Sequence, residues 1–73
     1  MEFDLALRGY DRLQVDVMVQ RAEVASASTD PALRARTCQE LRSVQFAVVL
    51  RGYQRAQVDS FLKAVSAELE AGG

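Results

Sequence analysis

Phe3, Leu5 and Leu7 alternate with other residues, and Phe46, Val48 and Leu50 do the same 43 positions later. A period of two puts each trio on one face of a short strand. After the second trio, Val58, Phe61, Leu62, Val65 and Leu69 recur at the spacing of one helical face. The corresponding part of the first half, QVDVMVQ, is ambiguous alone, because Val15, Val17 and Val19 alternate as a strand would. The ambiguity ends when the halves are aligned. Phe3 to Asp16 and Phe46 to Asp59 share nine of fourteen residues, including LRGYDRLQVD against LRGYQRAQVD. Repeats of this kind share a backbone, so the first copy is helical too, with Val15, Met18, Val19 and Ala22 as its stripe. Helices are expected at about 11–28 and 54–71.

Local chemistry marks the boundaries. Gly9 and Gly52 fall where strand should give way to helix, where the lack of a Cβ permits positive φ or a close backbone approach. Asp11 is a good N-cap with Gln14 three residues on, a capping-box pattern, whereas Gln54 is a poor cap. Asp30 followed by Pro31 opens a third helix, expected over 31–42. Its apolar stripe is thin, with Leu33, Cys38 and Leu41, while Arg34, Arg36 and Arg42 should face solvent.

The expected fold is a small α/β domain of order β-α-α-β-α. Two strand-helix repeats, 1–28 and 44–71, are joined by the linking helix and related by a pseudo-two-fold, with an antiparallel two-stranded sheet on the helices. A two-stranded sheet is weak alone, so the Phe3, Leu5, Leu7 and Phe46, Val48, Leu50 faces should lie under helices. Ala47 and Val49 on the other face leave an apolar edge that favours a homodimer or higher assembly over a monomer.

Composition narrows the function. At 73 residues the chain has room for one marginal domain. With 49% hydrophobic and 26% charged residues it should fold. A formal net charge of −1 gives no global attraction for nucleic acid or anionic lipid. Cys38 is alone, so it is expected to be a buried small side chain in a reducing, cytoplasmic setting. No apolar run reaches the roughly 20 residues that span a bilayer.

No histidine, no cysteine pair and no Ser or Thr beside an obvious base argue against an enzyme, a metal site or a cofactor. Asp16 and Asp59 could pair with Arg8, Arg12, Arg51 or Arg55, which more commonly positions a turn than performs chemistry. A strand followed by two helices raises an alternative, a ribbon-helix-helix-like DNA-binding protein. Against it, the outward strand residues Asp4, Ala6, Ala47 and Val49 offer no basic or amide readers, so no nucleic acid is expected.

The repeated block itself, F-x-x-x-L-R-G-Y-x-x-x-x-V-D, with SFL after the second copy, resembles the DivIVA and GpsB family of bacterial cell-division and polar-growth proteins. The match holds at Phe46, Leu50, Arg51, Gly52, Tyr53, Val58, Asp59, Phe61 and Leu62, and at Phe3, Leu7, Arg8, Gly9, Tyr10, Val15 and Asp16. Met18 and Val19 replace the Phe-Leu pair in the first copy. The resemblance covers about half the chain, and the middle helix has no counterpart in it. It implies a non-catalytic scaffold that binds protein partners of the division or cell-wall machinery at septum or poles. It also implies peripheral membrane contact through an exposed loop, which maps to Leu7, Arg8 and Gly9 and to Leu50, Arg51 and Gly52. A GpsB-like grip on a partner's arginine-bearing tail maps to Tyr10 with Asp16 and to Tyr53 with Asp59. The further acidic residue one turn on is replaced by Gln20 and Lys63. Two blocks stand where the family usually has one followed by a long coiled coil, and no sustained heptads appear here. Tyrosines packed over their own helix starts, with the aspartates holding Arg12 or Arg55, are the structural alternative.

Overall fold

The computed structural model describes residues 3–71. The order is β1 (Leu5–Tyr10), α1 (Arg12–Ala27), α2 (Pro31–Ser43), β2 (Val48–Tyr53) and α3 (Arg55–Ala71). α1 and α3 start 43 residues apart, in step with the repeat, and the poor cap Gln54 does not displace the second start. Both strands lie about two residues further along the chain than the alternation suggested, so Gly9 and Gly52 sit inside them and not at the helix junction.

The helices begin where capping chemistry allows. The Asp11 carboxylate accepts from the N–H groups of Leu13 at 2.9 Å and Gln14 at 3.3 Å, and Asp30 accepts from Ala32 at 3.0 Å ahead of Pro31. The reciprocal half of the expected capping box is absent, because the Gln14 side chain is engaged elsewhere, on Ala47.

Both repeat helices set out from the end of the molecule that carries the strands. The N–H of Asp11, before α1, donates to Ala47 O, and that of Gln54, before α3, donates to Asp4 O. α1 and α3 therefore run the same way, and α2 returns between them, packing more on α3 than on α1. The result is elongated, 37 × 17 × 15 Å, with strands at one end and three helices along the body.

The core follows the helical stripes. Val15, Met18, Ala22 and Ala25 of α1 meet Cys38 and Leu41 of α2 and Val58, Leu62 and Leu69 of α3. Val15 and Val58 are repeat equivalents and the largest wholly buried side chains, each stabilising the fold by about 1.5–2 kcal/mol. The buried Cys38 thiol donates to Ser66 O. Leu33 is only half-buried, and Thr37 takes a buried place on α2.

Arg34 does not face solvent as expected. Its Nη1 donates to the carbonyls of Ala25, Ser26 and Ser28 at the end of α1, and Nη2 reaches Glu68 O on α3. Carbonyls at a helix end lack intrahelical donors, and one guanidinium supplies them while tying α1, α2 and α3 together. Arg36 and Arg42 are exposed as expected, Arg42 in an ion pair with Glu70.

Candidate functional site: two crossed hooks

The strands pair antiparallel. Leu5 lies opposite Tyr53, Ala6 opposite Gly52, Leu7 opposite Arg51, Gly9 opposite Val49 and Tyr10 opposite Val48. One further pair changes the shape, for Tyr10 also lies beside Tyr53. Five residues of straight strand would carry Leu5 about 17 Å from Tyr10, yet both flank the same tyrosine. Each strand therefore folds back on itself as a hook, with outer arms antiparallel to the neighbouring hook and the inner arms side by side and locally parallel.

The hooks cross at their glycines. A Cβ on Gly9 would collide with the carbonyl groups of Tyr53 and Gly52, and a Cβ on Gly52 would collide with Tyr10 O and come within 2.8 Å of Gly9 C. Of the two roles the sequence allowed for these residues, the crossing uses close approach, since neither glycine has positive φ. The left-handed residue is Arg8, with φ of 60°, at the bend of the first hook.

Crossing exchanges the partners of the two repeats. The Tyr10 hydroxyl donates to Asp59 at 2.9 Å, and the Tyr53 hydroxyl donates to Asp16 at 2.8 Å. Gln14 accepts from the N–H of Ala47 at 2.8 Å, and Gln57 accepts from that of Asp4 at 2.7 Å. Tyr10 stacks tilted on Phe46 with centroids 5.2 Å apart, and Tyr53 on Phe3 at 5.3 Å. Each bond joins one repeat to the other and has its mate 43 residues away. The tyrosines therefore sit over the opposite repeat's helix and not their own, and the aspartates hold tyrosines, not Arg12 or Arg55. Tyr10 with Asp16 and Tyr53 with Asp59, the sets expected within each block, are rearranged into Tyr10 with Asp59 and Tyr53 with Asp16.

Burial and the bonded, negatively charged Asp59 push the Tyr10 phenol above its usual value of 10.0, and the Arg55 charge partly offsets this. Asp16 and Asp59 remain exposed, so each carboxylate has lone pairs free for a further donor.

The hooks also correct the expected strand faces. Alternation stops at the bend, so only Phe3 and Phe46 of the two trios pack against the core. Leu5 and Val48 are about half exposed, while Leu7 and Leu50 are 74% and 77% exposed. Arg8 and Arg51 are exposed beside them. Because Leu7 lies opposite Arg51, the two tips form one small platform at the strand end. Leu7, Arg8, Leu50 and Arg51 thus come together at the surface, and Gly9 and Gly52 are buried beneath.

Among known protein families, curated proteins and solved structures, none matches this chain.

Among the described residues no group of three His, Cys, Asp or Glu is placed to hold a metal ion, and no helix is long and apolar enough to cross a membrane. The sequence reading gave Gln14 only a capping role and missed Gln57, although the shared R-x-Q-V-D of both copies marks them. It also missed Arg34, for which no repeat or pattern gives a signal.

Proposed function

We propose that the chain is a non-catalytic interaction module of bacterial cell division or polar wall growth, of the DivIVA and GpsB kind, that touches the inner membrane surface through its hook tips. The observation that carries this reading is the paired tip, with Leu7 and Leu50 exposed beside Arg8 and Arg51 on one platform. Leucines have no folding reason to stand in water at the bend of a hook, and an arginine beside each suits the headgroup boundary of an anionic bilayer. About 1 kcal/mol per arginine near such a surface, together with partial insertion of two leucines, amounts to a few kcal/mol. That supports reversible contact, of the same order as a single weak anchor. The exposed carboxylates of Asp16 and Asp59, each next to a tyrosine ring, form the partner-facing part of the same end.

The test is flotation with vesicles containing phosphatidylserine, comparing the native chain with Arg8→Glu/Arg51→Glu and with Leu7→Ser/Leu50→Ser. Circular dichroism first establishes that all three are folded. Native co-flotation that both variants lose, and that weakens with salt, supports the reading. A native chain that stays in the soluble fraction overturns the membrane contact. Retarded mobility of duplex DNA with a steep salt dependence would replace it with the DNA-binding alternative.

A further inference from the structure

α1 carries apolar residues on two faces, and the fold uses only one. Directly opposite its buried stripe lie Leu13, Val17, Gln20, Val24 and Ala27, all exposed, with Leu13 74%, Val17 43% and Val24 58% accessible. The equivalent positions of α3 are Ala56, Ser60, Lys63, Ala67 and Glu70. The repeat therefore does not need an apolar outer face to fold, and only α1 has one.

The spacing on that face alternates four and three, the heptad seam of a coiled coil. Leu13, Gln20 and Ala27 take one core position and Val17 and Val24 the other. Val17 and Val24 supply the valine at the first core position that favours two parallel strands, and of the second-position residues Leu13 alone supplies the matching leucine. The flanks differ in charge. Arg21, held by Glu40 at 2.8 Å, and Arg36 lie along the α2 side of the seam, whereas Asp16 and Glu23 occupy the positions flanking it on the other side. A two-fold axis parallel to the helix would set each basic flank against the partner's acidic flank, with Asp16 facing Arg21 of the partner. An antiparallel arrangement would set like charges together.

We infer that α1 is the interface of a parallel homodimer in which a second copy of this chain lies on the Leu13 to Ala27 seam. The seam spans two heptads, about 21 Å at 1.5 Å per residue, and buries less than the roughly 800 Å² per partner of a stable complex. An isolated coiled coil of this length would not form. Here the helix is already folded on α2 and α3, so association does not bear the cost of nucleating it. The dimer is therefore weak, forming at roughly 10 µM to 1 mM, and its axis would bring all four hook tips to one end. This assembly follows from α1 alone and stands whether or not the tips bind lipid.

Sedimentation equilibrium on the whole chain tests it. The native protein should pass from monomer to dimer over that range. Val17→Glu/Val24→Glu should remain monomeric while keeping its helical circular dichroism, and Gln20→Leu should dimerise at least tenfold more tightly. Orientation is read by disulfide formation in a Cys38→Ser background. Leu13→Cys should cross-link to itself, as neighbouring core layers of parallel helices do. A native chain and Gln20→Leu variant that both stay monomeric at 1 mM overturn the inference. So does cross-linking of Leu13→Cys to Val24→Cys in preference to itself, which requires antiparallel helices.

Discussion

Replacing Gly9 with alanine tests the crossing more directly than any other change. The new Cβ would lie against the carbonyl carbon of Gly52 and the carbonyl oxygen of Tyr53. These are backbone atoms, which cannot swing aside as a side-chain end can. Ordinary van der Waals contact begins at 3.4 Å, so the two strands must part by about 1 Å. A displacement of that size takes the bonds from Asp11 N–H to Ala47 O and from Gln54 N–H to Asp4 O, at 2.9 and 2.8 Å, beyond useful length. Overpacking at about 1–3 kcal/mol and two weakened hydrogen bonds at about 1 kcal/mol each give a loss of roughly 3–5 kcal/mol. A domain of this size has about 4–11 kcal/mol in total, so the variant should lose a large share of its stability. Urea unfolding followed by circular dichroism, with unchanged m, measures the shift in midpoint. Gly52→Ala should cost a similar amount. The double variant should cost clearly less than the sum, because the first substitution already separates the strands that the second would push apart. A loss below about 1 kcal/mol for Gly9→Ala, or full additivity in the pair, would refute the crossing.

Two further changes probe the ties between repeats and helices. Because burial and Asp59 raise the Tyr10 phenol above 10.0, its ionisable contribution to stability is complete below pH 10 and lost as pH rises through the raised value. The stability difference between the native chain and Tyr10→Phe, expected below about 1 kcal/mol at this half-buried site, should therefore be flat to pH 9 and shrink as pH rises past 10; a difference that does not shrink as the phenol ionises would contradict it. Arg34→Lys keeps the charge but loses the planar fork that serves α1 and α3 together, so it should lower stability by about 1–2 kcal/mol in urea titrations; equal stability would show that the guanidinium contacts contribute nothing.

The helices were legible because their stripes repeat at 3.6 residues and their starts carry Asp11 or Asp30 with Pro31. The second copy even corrected a misleading alternation at Val15, Val17 and Val19. The strands were only half legible. Phe3, Leu5 and Leu7 do alternate, but alternation assigns faces only while the backbone stays straight, and Arg8 bends it. No pattern within one copy shows that its tyrosine will reach the other copy's aspartate, since the exchange is a property of the crossing. The glycines pointed to a close approach without saying to what. Arg34 looked like an ordinary surface cation, because its partners are backbone carbonyls that carry no residue identity.

The repeat separates residues that build the fold from residues that do not. Nine positions are identical in both copies, and six pairs have reciprocal structural work. Phe3 and Phe46 stack on tyrosines, Gly9 and Gly52 permit the crossing, and Val15 and Val58 fill the core. Tyr10 and Tyr53 bond Asp59 and Asp16, while Gln14 and Gln57 hold the opposite strand. Three pairs are left over: Leu7 with Leu50, Arg8 with Arg51, and Arg12 with Arg55. The leucines stand in solvent, and none of these arginines makes a hydrogen bond or ion pair among the described residues. Identity kept where the side chains make no hydrogen bond or ion pair within the fold is explained by a surface that both copies present. Leu7→Ser/Leu50→Ser should consequently change stability by less than about 0.5 kcal/mol, the range for surface substitutions, while abolishing co-flotation with anionic vesicles. Arg12→Gln/Arg55→Gln should likewise leave the unfolding midpoint in place and weaken vesicle binding less than Arg8→Glu/Arg51→Glu does, because these arginines lie beyond the tips, in the first turn of each helix. A loss of more than about 1 kcal/mol in the leucine variant would mean that the tips do serve the fold, and the division of the nine pairs would fail at that point.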